Sequence, residues 1–337
     1  MLLEIPATDS FMPILLTGGF GCIGSWVVKN LAERGEIVHV YDVAYEPKRL
    51  HQVMEPGLLD FVKFHQGDVA DAGVLKSVVE KEGIRQIIHL AGLQVPICRA
   101  DPLRGARVNV LGTLAVFEAA KALKDQVQRI VYASSAAVFG PPEDEHAPPL
   151  HDTATTTPTT HYGVFKAANE GNARIYFEEN GITSVGIRPA TVYGVGRDFG
   201  MTSEPTKALK SLAIGKPWHI SFGGWQDMQF ADDVARSFLR CAEASSEFRG
   251  AVVYNLKGHQ VEIATIHETM CELSSEARTL ITFGDKSLPV AHGFSDAGLQ
   301  QQFGPLPLTP LRSGFKQTLD RFRDLHASGR LDLADLG

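Results

Sequence analysis

TGGFGCIG, residues 17–24, directly follows the apolar run Ile14–Leu16. Gly18, Gly21 and Gly24 recur at spacings of three, where a strand-like run passes into a helix-like pattern. Because glycine lacks a Cβ, it permits a tight turn and lets another group approach the backbone closely. The free N–H groups and partial positive charge of a helix N-terminus attract a pyrophosphate. The stretch therefore predicts a dinucleotide-binding turn, and a glycine-rich turn without a ligand is the alternative.

Asp42 strengthens this interpretation, since it ends a second strand-like run, Ile37–Tyr41, 18 residues after Gly24. A carboxylate at this point accepts hydrogen bonds from a ribose diol and repels a 2′-phosphate. The order of strand, glycines, helix, second strand and Asp therefore favours NAD. Lys48 and Arg49 lie nearby and leave NADP as a smaller alternative.

Strand-like and helix-like patterns alternate through the first half of the chain, which predicts an α/β fold with a doubly wound parallel sheet of the Rossmann type. The expected core covers residues 12–190, with 229–257 returning to it. Residues 191–228 and 258–330 are expected to form a smaller C-terminal substrate-binding lobe. The predicted strands are Ile14–Thr17, Ile37–Tyr41, Phe61–His65, Ile84–Leu90, Arg129–Ser134 and Ser184–Arg188, and the predicted helices are Ile23–Arg34, Val74–Glu82, Asn109–Leu123 and Tyr162–Glu179.

Composition narrows the class of protein. The 337 residues are 44% hydrophobic and carry a net charge of −7, which suits a globular protein and argues against a dedicated nucleic-acid binder. No run approaches the length of a membrane span, and residues 1–11 lack the pattern of a secretory signal. The cysteines show no CxxC spacing, which indicates free thiols. We therefore expect a cytoplasmic protein that binds neither membrane nor nucleic acid and acts on a small molecule.

Tyr162 and Lys166 lie four residues apart in a predicted helix and so share a face. A free tyrosine, with a pKa of about 10, is a poor base at neutral pH. A neighbouring ammonium and an oxidised nicotinamide would favour the phenolate, which could take a proton from a substrate hydroxyl. Lys166 could also hold the nicotinamide ribose, and Ser135, just past a strand, could position the substrate oxygen. An ordinary Tyr/Lys pair on a surface helix is the alternative.

Several longer motifs accompany these residues: GDVAD (67–71), HLAG (89–92), NVLGT (109–113), YASSAAVFG (132–140), YGVFK (162–166), RPATVYG (188–194) and FADDVA (230–235). With the glycine stretch, they make residues 13–323 resemble the extended short-chain dehydrogenase/reductase family, also called the NAD-dependent epimerase/dehydratase family. The resemblance implies a Rossmann core, bound NAD and a catalytic triad of Ser135, Tyr162 and Lys166. The cofactor contacts that we expect are Gly18, Gly21, Cys22, Ile23, Asp42, Asp68, Val69, Leu90, Ala91, Gly92, Tyr162, Lys166 and Pro189.

The same resemblance implies that Asn109 supports the active site. It also implies a homodimer formed through the helices that contain 109–123 and 162–179. Without the resemblance, Asp68 would be read as a turn residue and Asn109 as a helix cap.

Two positions bear on the reaction. Nucleotide-sugar members of the family usually carry Asn where this chain has Thr191, and Arg where it has Gln226. A neutral amide cannot replace a guanidinium against a diphosphate, because both the charge and the bidentate fork are lost. Dehydratase-type members place an acidic pair where this chain has Ala136 and Ala137. These departures favour a smaller polar substrate without a nucleotide.

Candidate substrate contacts lie in the loops. Arg197 could bind a carboxylate or be a solvated loop charge, and Gln94 could reach the substrate or be a plain loop residue. Ser135, Thr191 and Gln226 complete the expected substrate set. The stretch TATTTPTT, residues 153–160, is either inert filler or part of a flap near the site. The histidines show no metal-ligand spacing, so no catalytic metal is expected, and His89 is expected in the core.

Three functions remain in order of preference. The first is an NAD-dependent oxidoreductase that acts on a secondary alcohol or ketone of a small sugar, polyol or sugar acid. The second is a nucleotide-sugar 4-epimerase that keeps its NAD tightly bound. The third is a non-catalytic NAD-binding module, against which the intact triad argues.

Overall fold

The computed structural model describes residues 12–141, 149–245 and 247–336. The N-terminal stretch 1–11, read above as lacking a secretory signal, lies outside the described residues. The described strands are β1 Ile14–Thr17, β2 Val38–Asp42, β3 Val62–Gln66, β4 Gln86–His89, β5 Arg129–Ala133, β6 Ser184–Arg188, β7 Thr191–Tyr193, β8 Trp218–Ile220, β9 Trp225–Phe230, β10 Ala251–Asn255, β11 His259–Glu262 and β12 Ile281–Phe283. The helices are α1 Cys22–Glu33, α2 Lys48–Val53, α3 Ala72–Lys81, α4 Val95–Ala100, α5 Pro102–Ala106, α6 Gly112–Ala122, α7 His161–Asn180, α8 Glu204–Ala213, α9 Ala231–Ala242, α10 Ile263–Leu273, α11 Ala277–Leu280, α12 Ala297–Phe303 and α13 Leu311–Ala327.

The central sheet has seven strands in the order β10-β6-β5-β4-β1-β2-β3, and every pairing in it is parallel. From β1 the chain first builds outward through β2 and β3, and then restarts on the other side of β1 with β4. The strand order therefore reverses between β1 and β4, where open α/β sheets bind their ligands. The predicted doubly wound Rossmann fold is confirmed.

Helix α1 forms because its apolar positions fall on one face. Trp26, Val27, Val28 and Leu31 are buried, and the chain leaves the helix through Gly35, whose φ is +75°. A left-handed residue at this point is the common way for a helix to end, and glycine adopts it without steric cost. The predicted and observed helices agree to within one residue at each end.

The helix predicted over Asn109–Leu123 differs from the observed one. The helical path begins earlier, with α5, continues through a π-helical turn at Arg107–Leu111 and becomes regular in α6. Such turns accommodate an extra residue and often occur at functional sites. Here the turn contains Asn109, whose buried side chain faces the loop after β4. Asn109 is therefore not the helix cap considered in the sequence analysis.

The second half of the chain contributes both to the sheet and to smaller sheets. Strand β10 pairs with β6 at the edge of the central sheet, while β7, β9 and β11 form a three-stranded sheet and β8 pairs with β12. One hydrophobic cluster includes Val40 and Ile88 of the central sheet together with Ile263 and Phe315 from the later chain. The later segments thus share the core of the first half.

Two findings bear on the remaining expectations from composition. The four cysteines Cys22, Cys98, Cys241 and Cys271 are free thiols. Among the described residues, no helix combines the length and the apolar character needed to cross a membrane.

Candidate active site

The glycine turn lies where the sheet reverses direction. Gly18 has a φ of +73°, and its N–H donates to Tyr41 O at 3.0 Å. A Cβ at this position would lie 2.7 Å from Ala91 N, so only glycine lets the loop after β1 pack against the loop after β4. A Cβ at Gly24 would lie 2.3 Å from Gly18 O, which explains a second glycine of the motif. The turn is shaped by contacts within the protein as well as by any ligand.

Helix α1 begins directly after this turn, with Gly21 as its N-cap. Within the described part of the chain, no side chain caps this helix and its first turn carries no acidic residue. Cys22 and Ile23 line a cavity at this end of the helix. The first N–H groups of α1 therefore face an anion-binding position that the protein itself does not fill.

The end of β2 supplies the acidic group. The Asp42 carboxylate accepts hydrogen bonds from the backbone N–H groups of Phe20 and Val43, and burial raises the pKa of this carboxyl.

Arg49 forms two bonds with Asp198, at 2.7 and 2.9 Å, and a third with Phe20 O at 3.0 Å. Lys48 pairs with Asp332 at 3.0 Å. Both cations that favoured NADP are thus engaged with other partners.

The remaining expected cofactor contacts occupy two groups of positions. Leu90, Gly92 and Pro189 line the cavity, whereas Ala91 contributes its backbone against Gly18. Asp68 accepts the Ala70 N–H at 2.9 Å and pairs with Arg107 at 2.7 Å, and Val69 packs against Gly112. Asp68 and Val69 lie outside the cavity lining, beyond the end of β3.

The cavity has a volume of about 550 Å³ and runs from the glycine turn along the carboxyl edge of the sheet. This volume lies within the usual range for small-molecule sites. Its wall combines the predicted triad, the glycine turn and the loops after β4 and β7. It also includes residues that the sequence analysis did not single out, namely Val95, Pro96, Arg99, Phe139, Met201, Thr202, Pro289, Val290 and Ala291.

The predicted triad converges in this cavity. Thr160 caps α7 by accepting the Gly163 N–H at 3.0 Å, which places Tyr162 in the first turn of the helix. Lys166 Nζ lies 5.6 Å from the centre of the Tyr162 ring and donates to Ala133 O at 2.6 Å. Ser135 follows β5 and is hydrogen-bonded to the Tyr162 side chain. The stretch 153–160 therefore contributes to the site, since Thr159 and Thr160 line the cavity.

Burial dominates the ionisation of the triad. It raises the pKa of Tyr162, while the hydrogen bond from Ser135 and the charge of Arg197 act in the opposite direction. Burial lowers the pKa of Lys166 to about 8, against smaller effects of Cys98 and Glu170. Burial thus opposes the phenolate, and the expectation that Lys166 together with an oxidised nicotinamide favours it stays a prediction. The physical reason is that desolvation penalises both charged forms.

Arg197 is aimed into the same cavity. Its Nη1 donates to Gln94 Oε1 at 3.4 Å and its Nη2 to Thr202 Oγ1 at 3.1 Å. The Nε atom is buried and has no partner among the described residues. Arg197 is therefore a guanidinium that is held at the cavity wall by Gln94 and Thr202, unlike the solvated loop charge considered from sequence.

Gln226 corrects one expectation. Its side chain is fully buried and lies behind Thr191, whose hydroxyl donates to Gln226 Oε1 at 2.9 Å. Thr191 lines the cavity and Gln226 does not. Strand β9, which carries Gln226, is packed between β7 and β11, so this side chain orients Thr191 and does not reach a substrate.

A family model described as the NAD dependent epimerase/dehydratase family matches residues 14–256. The chain belongs to this family. Its curated relatives include a UDP-glucose 4-epimerase from Halalkalibacterium halodurans, 28% identical over 318 residues, which cover 90% of this chain and 85% of the relative. Another, from Erwinia amylovora, is 30% identical over 274 residues and covers 74% and 80% of the two chains. The family predicted from the motifs is confirmed, and NAD is the cofactor of the family.

Solved structures with the same fold include proteins of two different activities. A partial-consensus L-threonine 3-dehydrogenase superposes with a TM-score of 0.79 at 23% identity, covering 93% of this chain and 99% of that one. A UDP-glucose 4-epimerase from Thermotoga maritima, described with UDP-glucose, gives 0.79 at 23% identity and covers 94% and 100%. At this identity the likeness establishes the fold of the epimerase/dehydratase family, and the reaction must be argued from the site.

The arrangement fits the dinucleotide of this family. The uncapped end of α1 and the close-packed glycines can accept a pyrophosphate, and Asp42 stands at the end of the neighbouring strand. These residues belong to one βαβ unit, so their order in the sequence already brings them to the same edge of the sheet. The segment 289–291, which also lines the cavity, carries no motif and could not be expected from the sequence.

A buried polar network lies below the cavity. His89 bonds to Thr17 Oγ1 at 2.7 Å and to Thr113 Oγ1 at 2.9 Å, and Thr113 donates to Asn109 O at 2.8 Å. Asn109 in turn holds both backbone groups of Leu93, at 2.7 and 2.9 Å. The network joins β1, β4 and the π-helical turn beneath the loop that lines the cavity. Its signals in the sequence were His89 at the end of a buried strand and Asn109 in the motif NVLGT.

Proposed function

We propose that this protein is an NAD-dependent dehydrogenase acting on a secondary alcohol of a small polar molecule that carries a carboxylate, such as a sugar acid or hydroxy acid. The observation that supports this most directly is Arg197, a guanidinium that lines the same cavity as Tyr162 and Ser135 and is held there by Gln94 and Thr202. A carboxylate is one of the anions whose geometry matches this planar group.

NAD supplies the carbon that accepts or returns a hydride. In the proposed reaction Tyr162 Oη takes the proton of the substrate hydroxyl, and the Ser135 hydroxyl holds the same oxygen. Lys166, anchored on Ala133 O, would donate a second hydrogen bond to the ribose of the cofactor. The glycine turn with Cys22 and Ile23 would hold the pyrophosphate, Asp42 the adenosine ribose, and Asp68 and Val69 the adenine. Leu90, Ala91, Gly92 and Pro189 would hold the nicotinamide half.

The family's diphosphate-binding arginine is replaced here by Gln226, which supports a substrate without a nucleotide. Gln226 is neutral and buried behind Thr191, so no guanidinium stands at this position. Several proteins of the same fold are named L-threonine dehydrogenases, and L-threonine combines a secondary hydroxyl with a carboxylate. The hydroxyl that would contact Tyr162 and the carboxylate that would contact Arg197 thus occur together in one small molecule.

A panel of alcohols tests the proposal. The purified enzyme is mixed with NAD and with hydroxy acids, sugar acids, β-hydroxy amino acids including L-threonine, and matched neutral polyols, and NADH is followed by its absorbance. We expect NADH only with carboxylates. Turnover of neutral polyols alone, or no turnover with any class, would contradict the proposal.

The Arg197→Met variant tests the carboxylate contact. Because a hydrogen bond to a charged group contributes about 1.5–3 kcal/mol, KM for the substrate should rise about 10- to 100-fold, and kcat should fall because a charge that lowers the pKa of Tyr162 is lost. Arg197→Lys keeps the charge but loses the bidentate geometry of the guanidinium, so its KM should lie between those of the wild type and Arg197→Met. Arg104→Met, at an exposed position in α5, is the matched control and should behave like the wild type.

A second candidate is a nucleotide-sugar 4-epimerase, which the curated UDP-glucose 4-epimerases among its relatives favour. In that case NAD copurifies with the protein, and a UDP-sugar is converted without net NADH. Measuring both in one preparation separates the candidates. The third possibility, an NAD-binding module without catalysis, requires that Tyr162→Phe behave like the wild type in every assay, since that change removes only the hydroxyl.

We further propose a homodimer formed through α6, α7 and the π-helical turn. Leu111, Val164 and Ile175 are exposed apolar side chains on these elements. Val164 and Ile175 lie eleven residues apart, about three helical turns, and so share one face of α7. A second copy of the chain would cover this face.

A further inference from the structure

A cluster of two histidines and a glutamate lies away from the cavity, at the far side of the sheet. His39 is in β2, His65 in the edge strand β3, and Glu82 directly follows α3. Three strands separate β3 from β5, which leads to Ser135, so the cluster lies about 19 Å across the sheet from the triad at normal strand spacing. Nothing in the proposed reaction uses these residues.

The geometry of the cluster suits a metal ion. His39 Nδ1 and His65 Nε2 lie 3.1 Å apart, His39 Nδ1 and Glu82 Oε2 lie 3.8 Å apart, and one ligand atom of each residue lies within 4.8 Å of the other two. In a tetrahedral site with metal–ligand bonds of about 2.0–2.1 Å, neighbouring ligand atoms are about 3.3 Å apart. Small side-chain adjustments therefore bring all three groups to one ion.

We propose that His39, His65 and Glu82 form a binding site for Zn²⁺ or a similar divalent transition metal. Two imidazoles and one carboxylate are a known ligand set for zinc, with the fourth position open to water. The ion would tie the edge strand β3 to β2 and to the end of α3. An edge strand otherwise exposes unpaired backbone groups, so such a link stabilises the sheet where it is weakest.

Lys63 is the group that competes with the metal. Its Nζ contacts Glu82 Oε2 at 2.5 Å, and its side chain is half exposed. The ammonium can turn toward water when an ion binds, because it lies on the outer edge of the cluster. Removing this cation should strengthen binding of the metal, so the proposal can be tested by an increase in Zn²⁺ affinity.

The experiment uses the full-length protein without a histidine tag, stripped with a chelator and titrated calorimetrically with Zn²⁺. One equivalent should bind with a rise in the unfolding temperature, and Co²⁺ should give the visible absorption of a tetrahedral site. His65→Gln should weaken binding at least about 100-fold, since even loss of an outer partner of a metal ligand costs 10- to 100-fold. His51→Gln, at an exposed position of α2, is the matched control and should bind like the wild type.

Lys63→Gln should bind Zn²⁺ more tightly, and unchanged affinity would remove Glu82 from the ligand set and overturn the assignment. Absence of binding to the wild type, or equal binding by His65→Gln, would also overturn it. A second pair, His267 and Cys271, lies 3.7 Å apart in α10 and is another place where zinc could bind. If His267→Gln loses Zn²⁺ binding while His65→Gln retains it, the ion is assigned to His267 and Cys271. NAD affinity of each variant, which should be unchanged, shows that the variant is folded.

Discussion

Single residues in this protein are constrained most strongly where backbones meet. At Gly18 and Gly24 a side chain would overlap backbone atoms that cannot move without opening the turn. Lys166 is constrained by a different force, because it is a cation placed in a buried position and held by one backbone carbonyl. Both kinds of constraint lie at the carboxyl edge of the sheet. The chemistry of the site therefore depends on close packing as much as on the reactive groups.

Gly24→Ala should weaken NAD binding at least about tenfold, since its Cβ would lie 2.3 Å from Gly18 O and force the turn open. The measurement is a titration of NAD followed by calorimetry. Gly57→Ala is the control, because a Cβ there meets no atom within 4 Å and its φ is not positive. Equal affinity in the two variants would contradict the proposed role of the turn.

His89 should make the protein sensitive to acid. Burial lowers its pKa to about 3 from the ordinary 6.5. Between these two pH values the unfolded chain therefore binds a proton at this ring, whereas the folded chain does not. Stability from this group is present above pH 6.5 and falls as the pH drops toward 3, by about 2 kcal/mol at pH 5. A positively charged ring would also lose the bond that its Nδ1 accepts from Thr17.

Urea unfolding at pH 7 and pH 5 measures this effect. His89→Gln should be less stable than the wild type at pH 7 but should lose about 2 kcal/mol less between the two pH values. The exposed His51→Gln serves as the control, since its ring is in water in both states and the loss should equal that of the wild type. Identical pH dependence of all three proteins would contradict the prediction.

At the scale of elements, one buried ion pair connects α7, the helix that carries Tyr162 and Lys166, to the sheet. Glu170, one turn after Lys166 in α7, accepts bonds from Arg188 Nε and Nη2 at 2.8 and 2.7 Å. It also accepts from the hydroxyl of Ser134, the neighbour of Ser135. The contact therefore sets α7 against the ends of β5 and β6, and with it the positions of Tyr162 and Ser135 relative to each other.

Glu170→Gln should lower the free energy of unfolding by about 3 kcal/mol, because it leaves the Arg188 guanidinium buried without its counter-charge. It should also lower kcat through the displaced α7. The control is Glu178→Gln on the exposed face of the same helix, where the pair with Arg174 contributes at most about 0.5 kcal/mol. Urea unfolding and kcat are measured on both variants. Similar stability of the two would show that the buried pair does not hold α7.

At the scale of the whole molecule, the two halves of the chain share one fold and one core. The Arg49–Asp198 pair ties the loop of Arg197 to the glycine turn through Phe20 O, and Trp26 Nε1 donates to Val195 O at 2.9 Å. The loop of Arg197 is thus bound directly to the glycine turn and to α1.

The proposed homodimer is tested by light scattering coupled to size-exclusion chromatography. The wild type should elute with the mass of two chains, and Ile175→Glu should convert it to one by placing a charge in the apolar face of α7. Leu308→Glu is the control, because Leu308 is similarly exposed but lies outside the proposed interface. A wild type with the mass of one chain would contradict the proposal.

The sequence alone determined the fold class, the family and NAD as its cofactor. These follow from local patterns: the period of apolar residues, the glycines between a strand and a helix, and Asp42 at the next strand end. Tyr162 and Lys166 were also accessible, since a helix places residues four apart on one face. The pattern needed no knowledge of contacts between distant segments.

Only the tertiary structure decided the setting of each group. Three features depend on segments far apart in the chain: the burial that raises the pKa of Tyr162, the hydrogen bond between Arg197 and Gln94, and the position of Gln226 behind Thr191. The same holds for His39, His65 and Glu82, which come together from two strands and the end of a helix. The physical reason is that desolvation and hydrogen-bond satisfaction depend on what surrounds a group in space, and a linear pattern records only its neighbours along the chain.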